Sequence, residues 1–406
     1  MTYVEKRQEF RPASGEAPFD LNEVFYSRTD TRGIITSGNY VFRRVSNYDW
    51  DELIGKPHKI IRHPDMPSGV FSLFWDQLKK GRIVGAYVKN RAKDGLHYWV
   101  YAIAFPFADG FMSARFKPST AMLEQAKGLY KDLRRKELAG DYTPVQSQAA
   151  LIKGLQALGY DDYDHFATQA LVTELLSRND ALRLAELGDL KRMQKVHDTA
   201  RDLSDETTSL VRDFQGMQTI PHNLRVIASR LEPTGGPIST LSQNYGTMSR
   251  EISTWFEDNV IGAESNFSSI KKSVRHSFFI SGMVHILHEC EVHMKAERRK
   301  LGKSDAVMEH DYLANVVEDN TSLSVDLLRK VREETERILM ACDVMNRHVL
   351  GLSSTRIMCK IESARVPEGG DSLTDIIHQL KLYQERISTR LTKIQSLAQT
   401  IAETRL

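Results

Sequence analysis

The sequence predicts two kinds of structure in series: an α+β domain, built as a five-stranded antiparallel sheet with flanking helices, and then an all-α, coiled-coil-like helical region. Three observations carry this. Short strand-like runs separated by glycine turns fill residues 19–118, and strand signals vanish beyond residue 120. Apolar residues then recur at alternating spacings of three and four, the period of helices that wind around partners. At 406 residues the chain exceeds the usual size of one hydrophobic core, so several domains are expected.

The elements follow in order. Phe25–Ser27 and Ile34–Thr36 read as strands around Asp30-Thr31-Arg32-Gly33, a turn whose glycine tolerates positive φ. Asn39–Val45 and Trp50–Leu53 read as short helical turns. Pro67-Ser68 opens a stronger helix, with Val70, Phe71, Phe74 and Leu78 on one apolar face and Gly81 at its end. Val84–Asn90, His97–Pro106 and Phe111–Phe116 form a meander joined by Lys93-Asp94-Gly95 and Asp109-Gly110, both hairpin-turn signals. Leu123–Leu138 reads as an exit helix, and Gly140–Ala150, with helix breakers in it, as a linker. The expected division is a tail at 1–18, the α+β domain at 19–118, the exit helix and linker at 119–150, a first helical region at 151–300 and a second helical hairpin at 301–406.

In the first helical region a seam runs through Met193, Val196, Ala200, Leu203, Thr207, Leu210, Phe214, Met217, Leu224, Ala228 and Leu231, with Pro221 in one slot, where a kink is expected. It turns at residues 233–237 and returns through Ile238, Leu241, Tyr245, Met248, Ile252 and Trp255. The plan repeats from Leu328 to Cys359, turns near residues 366–371, and returns from Leu373 to Ile401. The turn segments Asn223–Leu241 and Ser354–Leu373 share an Arg, an apolar run, a Glu and Gly-Gly, the mark of an internal duplication. A lone hairpin of this kind leaves an apolar stripe uncovered, so a homo-oligomer joined through the seams is expected.

Composition excludes several classes. Lys and Arg number 55 against 53 acidic residues, which gives no electrostatic footprint for nucleic acid or an anionic membrane. Cys290, Cys342 and Cys359 are too few and too scattered for a disulfide framework and point to a reducing compartment. The first residues, MTYVEKRQEFRP, carry no apolar signal-peptide core. The longest apolar-leaning run, Phe278–Leu287, contains His285 and is about half of the ~20 residues a membrane helix needs. A cytoplasmic protein without membrane insertion is expected. There is no GxGxxG, no P-loop and no catalytic Ser-His-Asp or Cys-His grouping, so no enzymatic activity is expected. His285, His288, Cys290 and His293 lie close together, but only in pairs that share a helix face, so no metal site is assigned.

The densest chemistry lies in RHPDMPSGVFSLFW, Arg62–Trp75, and VKNRAKDGLHYWV, Val88–Val100. A guanidinium, an imidazole and a carboxylate beside aromatics suit a domain that grips a flat, partly polar cofactor. Five strands with their helices on one side make the PAS architecture. Residues 24–118 resemble the FAD-binding PAS domain of the aerotaxis receptor family, in ITSGNYVF (Ile35–Phe42), ELIGKPHKIIRHPDMP (Glu52–Pro67), Phe74-Trp75 with Leu78–Gly81, and VKNRAKDGLHYWV. The resemblance implies flavin contacts at Asn39, Arg62, His63, Asp65, Phe71, Trp75 and Asn90.

The residue types suit that role. Phe71 and Trp75, four apart on a helix, offer aromatic faces to an isoalloxazine. The amides of Asn39 and Asn90 offer donors and acceptors to its pyrimidine edge. Arg62 and His63 suit the anionic tail. Heme is the alternative cofactor, with His58, His63 and His97 as candidate axial ligands, and a cofactor-free adaptor or scaffold is the alternative function.

The second turn is similar to the signalling tip of methyl-accepting chemotaxis proteins at Ile361, Glu362, Ala364, Arg365 and Glu368, and departs from it at Gly370-Asp371-Ser372. Together the resemblances imply a cytoplasmic redox or oxygen sensor. The state of the bound FAD would pass through a helical bundle to the chemotaxis kinase, the coupling protein or other chemoreceptors.

Overall fold

The computed structural model of the chain describes residues 10–107, 110–217, 220–231, 236–256, 266–297, 306–365 and 370–404. It divides into two compact units, the first made of residues 1–190 and 278–324 and the second of residues 191–277 and 325–406.

The first unit is organised by a five-stranded sheet. Its strands are β1 (Val24–Asp30), β2 (Ile35–Gly38), β3 (Val84–Arg91), β4 (His97–Phe107) and β5 (Gly110–Phe116). Their order is β2-β1-β5-β4-β3, and every neighbouring pair is antiparallel. Between β2 and β3 the chain forms α1 (Tyr40–Ser46), α2 (Trp50–Leu53), a 3-10 turn at His58–Ile61 and α3 (Ser68–Lys79). This is the PAS arrangement the strand and turn signals predicted. Gly110 opens β5 against β1 so closely that any side chain there would overlap the Thr29 carbonyl.

Strand alternation divides the sheet's side chains between two environments. On one face Tyr87 donates to Glu174 Oε1 at 2.8 Å and Tyr101 donates to the Ala167 carbonyl at 2.6 Å. Both partners lie on α6 (Tyr163–Leu182). Tyr26 donates to Glu309 Oε2 at 2.6 Å, and Arg28 pairs with the same carboxylate at 2.7 Å. The other face, with α3 above it, holds a cavity.

The segment Gly140–Ala150, expected as a linker, instead begins a packed helix, α5 (Pro144–Ala157), after α4 (Ala121–Leu138). Thr143 and Gln146 form a reciprocal capping box, and Pro144 takes the first helical turn, where a missing N–H costs nothing. The proline read as a breaker is a starter. Gly69 of α3 packs against Ser147 of α5, where an added Cβ would meet Oγ at 2.5 Å, so the two helices meet nearly backbone to backbone.

The remaining helices are α7 (Gly188–Met217), α8 (Ile220–Leu231), α9 (Pro237–Phe256), α10 (Asn266–Glu297), α11 (Ala306–Ser363) and α12 (Gly370–Glu403). In the second unit the seams of both hairpins lie in one core that includes Leu203, Leu210, Ile252, Ile338, Leu380 and Ile394. The stripe expected to lie bare on each hairpin is therefore buried within the chain, because the two hairpins share that core. Pro221 is the second residue of α8, and the kink expected there borders residues 218–219, which lie outside the described residues. The turns expected at 233–237 and 366–371 fall largely outside the described residues, which resume at Gly236 and Gly370. Glu368 and Asp109 also lie outside them.

These two units cut across the boundaries expected at residues 150 and 300, since α5, α6 and residues 278–324 group with the sheet. Among the described residues, no helix is long and apolar enough to cross a membrane.

Candidate functional site

The cavity between the sheet and α3 has a volume of about 720 Å³. The register of three strands explains why it is there. Ser27 pairs with Ser113, and Ser113 with Ala104, so a row of small side chains crosses β1, β5 and β4. In the neighbouring row Arg115 pairs with Ala102, and Ala102 with Ala86. Strands that usually carry bulky residues here carry Ser and Ala, and the unfilled space becomes the floor of the cavity.

The wall comes from α3. Phe71, Ser72, Trp75 and Leu78 line the cavity from one side of that helix. Trp75 meets Phe111 edge to face, with ring centroids 5.4 Å apart. Its indole also lies 3.1 Å from where a Cβ on Gly33 would stand, and Gly33 has φ +77°, so both space and backbone geometry call for glycine there. Arg62 sits over the Phe71 ring, its guanidinium carbon 3.9 Å from the centroid, and donates to the Met66 carbonyl at 3.3 Å. Burial pulls its pKa below the ordinary arginine value, and nearby Arg134 adds to that effect. The N-terminus of α3 is held by Glu137, which accepts from the amides of Ser68 and Gly69 at 2.8 and 3.0 Å.

The seven residues singled out by sequence part into two groups. Arg62, Phe71, Trp75 and Asn90 all line the cavity. Asn90 is 3% exposed, and among the described residues its side-chain amide has no protein hydrogen bond. Asn39, His63 and Asp65 are not among the lining residues. Asn39 is fully buried as the N-cap of α1. Its Oδ1 accepts from the amides of Tyr26 and Phe42 at 3.0 and 3.1 Å, and its Nδ2 donates to the Val24 carbonyl at 2.8 Å. His63 Nδ1 accepts from the Asp65 amide at 3.1 Å, and Asp65 pairs with Lys89 at 2.6 Å. That lysine, through its hydrogen bond, holds the Asp65 carboxyl below its usual range.

One lining residue, Arg115, had no sequence signal of its own, and it meets His58, read from sequence only as a candidate heme ligand. Arg115 is 5% exposed and donates to Ser27 Oγ at 2.9 Å and to His58 Nε2 at 2.8 Å. Because a guanidinium only donates, His58 carries its proton on Nδ1. Burial, then the Arg115 charge, hold the His58 pKa well below its ordinary 6.5, so the ring is neutral. Burial also lowers the Arg115 pKa, to about 10, which leaves it cationic at neutral pH. What could have flagged the pair is the alternation Ser113-Ala114-Arg115 on a buried strand, since an arginine on the inner face of a sheet has to serve a partner.

The histidines and the cysteine weighed as metal ligands turn to separate partners. His285 Nε2 lies 3.0 Å from Asp189, His288 lies 3.3 Å from Glu291, and the Cys290 thiol points to the Phe25 carbonyl at 3.9 Å. Burial lowers the His293 pKa.

Residues 35–111 match the family described as the PAS fold. The aerotaxis receptor of Escherichia coli (strain K12) is 43% identical over 121 residues, which cover 29% of this chain and 24% of that protein. The chain thus matches about a quarter of the length of this curated relative. Among solved structures, the PAS domain of the protein from Colwellia psychrerythraea is 17% identical, with a TM-score of 0.20 over 23% of this chain and 85% of that one. The Rhodobacter sphaeroides LOV protein is 16% identical, with a TM-score of 0.23 over 34% of this chain and 86% of its own.

Proposed function

We propose that this chain is a redox or oxygen sensor that is not an enzyme, whose PAS domain binds a flavin, FAD, in the cavity under α3. The observation that carries this is the make-up of the site: a floor of small side chains, an aromatic wall at Phe71 and Trp75, the uncommitted amide of Asn90, and a buried cation, Arg115. A planar ring with a polar edge fits that combination, and the cavity size falls within the usual range for small-molecule pockets. The stretch that is 43% identical to the aerotaxis receptor supports the same reading. When bound, the flavin supplies reversible uptake of electrons.

The protein's residues then bind and orient it. Trp75 and Phe71 hold the ring faces, Asn90 meets its pyrimidine edge, and Arg62 takes the anionic tail near the mouth. His63 and Asp65 act at the rim, ordering the loop into α3. Asn39 acts through the fold, tying α1 to β1. The candidate histidines fit heme poorly. His58 lines the cavity, but its Nε2 is taken by Arg115, and His63 and His97 are not among the lining residues.

The relay in this proposal runs through β1. Ser27 and Thr29 face the cavity, while Tyr26 and Arg28 hold Glu309 of α11. The output is a cytoplasmic chemotaxis-type complex of kinase and coupling protein. Self-association falls to the exposed apolar positions Leu350, Ile357 and Ile361 of α11, since the seams themselves are buried.

The test is an absorbance spectrum of the aerobically purified chain, followed by reconstitution with FAD. Flavin bands in the blue and near ultraviolet are expected. A colourless protein that cannot be reconstituted with any isoalloxazine nucleotide refutes the proposal, and a Soret band would point to heme.

A further inference from the structure

The cavity floor carries a charge that nothing in the described protein answers. Arg115 is held by two neutral acceptors, Ser27 Oγ and His58 Nε2. Its remaining terminal nitrogen, Nη1, is buried and has no hydrogen-bond partner among the described residues. The titratable groups that face it are His58 below α1, Tyr98 of β4 and Cys290 of α10, and no carboxylate is among them. The Phe42 ring, 5.7 Å from the guanidinium carbon, offers a weak cation–π contact but no acceptor for Nη1. A buried cation without a counter-charge is strongly unfavourable unless a ligand supplies one.

The other cations that line the cavity differ in kind. Lys59 and Lys79 are exposed, Arg32 is 81% exposed and paired with Asp30, and Arg62 is only partly buried and lies over the Phe71 ring. Exposed cations suit a hydrated, charged tail at the mouth. A buried guanidinium on a floor of Ser and Ala suits the edge of a planar ring.

We propose that Arg115, oriented by Ser27 and His58, is the subsite for the electron-rich edge of that ring, and that it binds the reduced, anionic form of a flavin more tightly than the oxidised, neutral form. The inference rests on the flavin reading above. Its physical content is differential affinity: an interaction equal in both states shifts nothing, whereas a charge met only in one state favours that state. Nη1 gains a charge-assisted acceptor in the reduced state alone.

The experiment uses the full chain loaded with FAD, as wild type and as Arg115→Met. The affinity of each for oxidised FAD is read by fluorescence quenching, and the midpoint potential by dye equilibration. Arg115→Met is expected to weaken the hold on both states of FAD, and on the reduced state the more. Its ratio of reduced to oxidised affinity is expected to fall about tenfold or more, as for loss of a hydrogen bond between charged groups. For a two-electron couple a tenfold change is a drop of about 30 mV.

A second measurement needs no variant. The absorbance of the reduced wild type is followed against pH, and the ring proton at N1 is expected to leave about one pH unit or more below its value in free reduced FAD. A loaded wild type whose reduced ring titrates as it does free in solution overturns this proposal alone. So does a folded, loaded Arg115→Met with the parent's potential. A wild type that takes up no flavin overturns both this proposal and the reading beneath it.

Discussion

Replacing Asn39 with alanine separates a residue that touches a ligand from one that builds the site. The side chain is fully buried and makes three hydrogen bonds, to the amides of Tyr26 and Phe42 and to the carbonyl of Val24. In Asn39→Ala the Phe42 amide loses its cap, at about 1 kcal/mol. The Tyr26 amide and the Val24 carbonyl become unsatisfied inside the protein, at about 1–2 kcal/mol each. The total is about 3–5 kcal/mol. At roughly 2–4 °C per kcal/mol for a unit of this size, the melting midpoint of the apoprotein falls by about 6–20 °C. Asn39→Asp keeps an acceptor for both amides but turns a carboxylate toward the Val24 carbonyl, so it melts between the two. The assay is thermal unfolding without flavin, together with hydrogen exchange at the Tyr26 and Phe42 amides, which lose protection in the alanine variant. An Asn39→Ala protein that melts within a degree or two of the parent, yet no longer holds flavin, refutes the reasoning and returns the amide to the ligand.

Three further outcomes follow from the same geometry. Trp75→Ala removes the indole from the cavity wall and lowers FAD affinity about tenfold or more, while far-ultraviolet dichroism keeps its helical signal. Glu309→Ala strips buried Tyr26 and mostly buried Arg28 of their shared acceptor, so chemical denaturation gives a loss of about 3 kcal/mol, at the low end for a buried pair because the Arg28 side chain is 20% exposed. Stability falls on acidification below pH 6.5. The pKa of His58 is depressed by burial and by Arg115, so the unfolded chain binds its proton first, and folding loses up to about 1.4 kcal/mol per pH unit on the way down to the folded value. His63 and His293, also depressed by burial, add in the same direction. Denaturant midpoints at pH 7.5 and 5.5 measure the slope, and His58→Gln makes it shallower. A slope unchanged by that substitution assigns the acid sensitivity elsewhere.

Much of the fold was legible because the relevant signals are local. Alternating strands, the Lys93-Asp94-Gly95 hairpin and the helix after Pro67 depend on neighbours in sequence, and each element stands where its turn chemistry placed it. The two seams were equally plain, since a spacing of three and four has one physical use. What could not be read was which surfaces meet. The uncovered stripe was a sound inference for one hairpin and lost its force once two hairpins shared a core. Pro144 looked like a boundary because proline ends helices more visibly than it begins them, and its place was decided by Thr143 and Gln146 around it. The candidate site divided along the same line. Phe71 and Trp75 share a helix face by spacing alone, whereas the Arg115–His58 contact joins residues 57 positions apart and depends on sheet register.

That register also bears on how a change at the ligand reaches the helices. In β1 successive side chains must face opposite ways, so whatever moves Ser27 moves Tyr26 and Arg28 with it. Ser27 accepts from Arg115 on the cavity side, and Tyr26 and Arg28 converge on Glu309 on the other. β1 pairs without a break along β5, while its register with β2 shifts between Arg28 and Thr29, where Thr36 of β2 is the extra residue, so the irregular edge lies beside the strand and not within it. If a charge arriving on the ligand draws Arg115 toward it, the Ser27 bond is the first to be strained, and the strand carries that strain to Glu309 without any continuous path through the core. Coupling of this kind is measurable as an energy. In a double-mutant cycle between Ser27→Ala and Glu309→Gln, with flavin reduction potential as the readout, the relay requires a non-additive term, and strict additivity would leave β1 a wall rather than a lever.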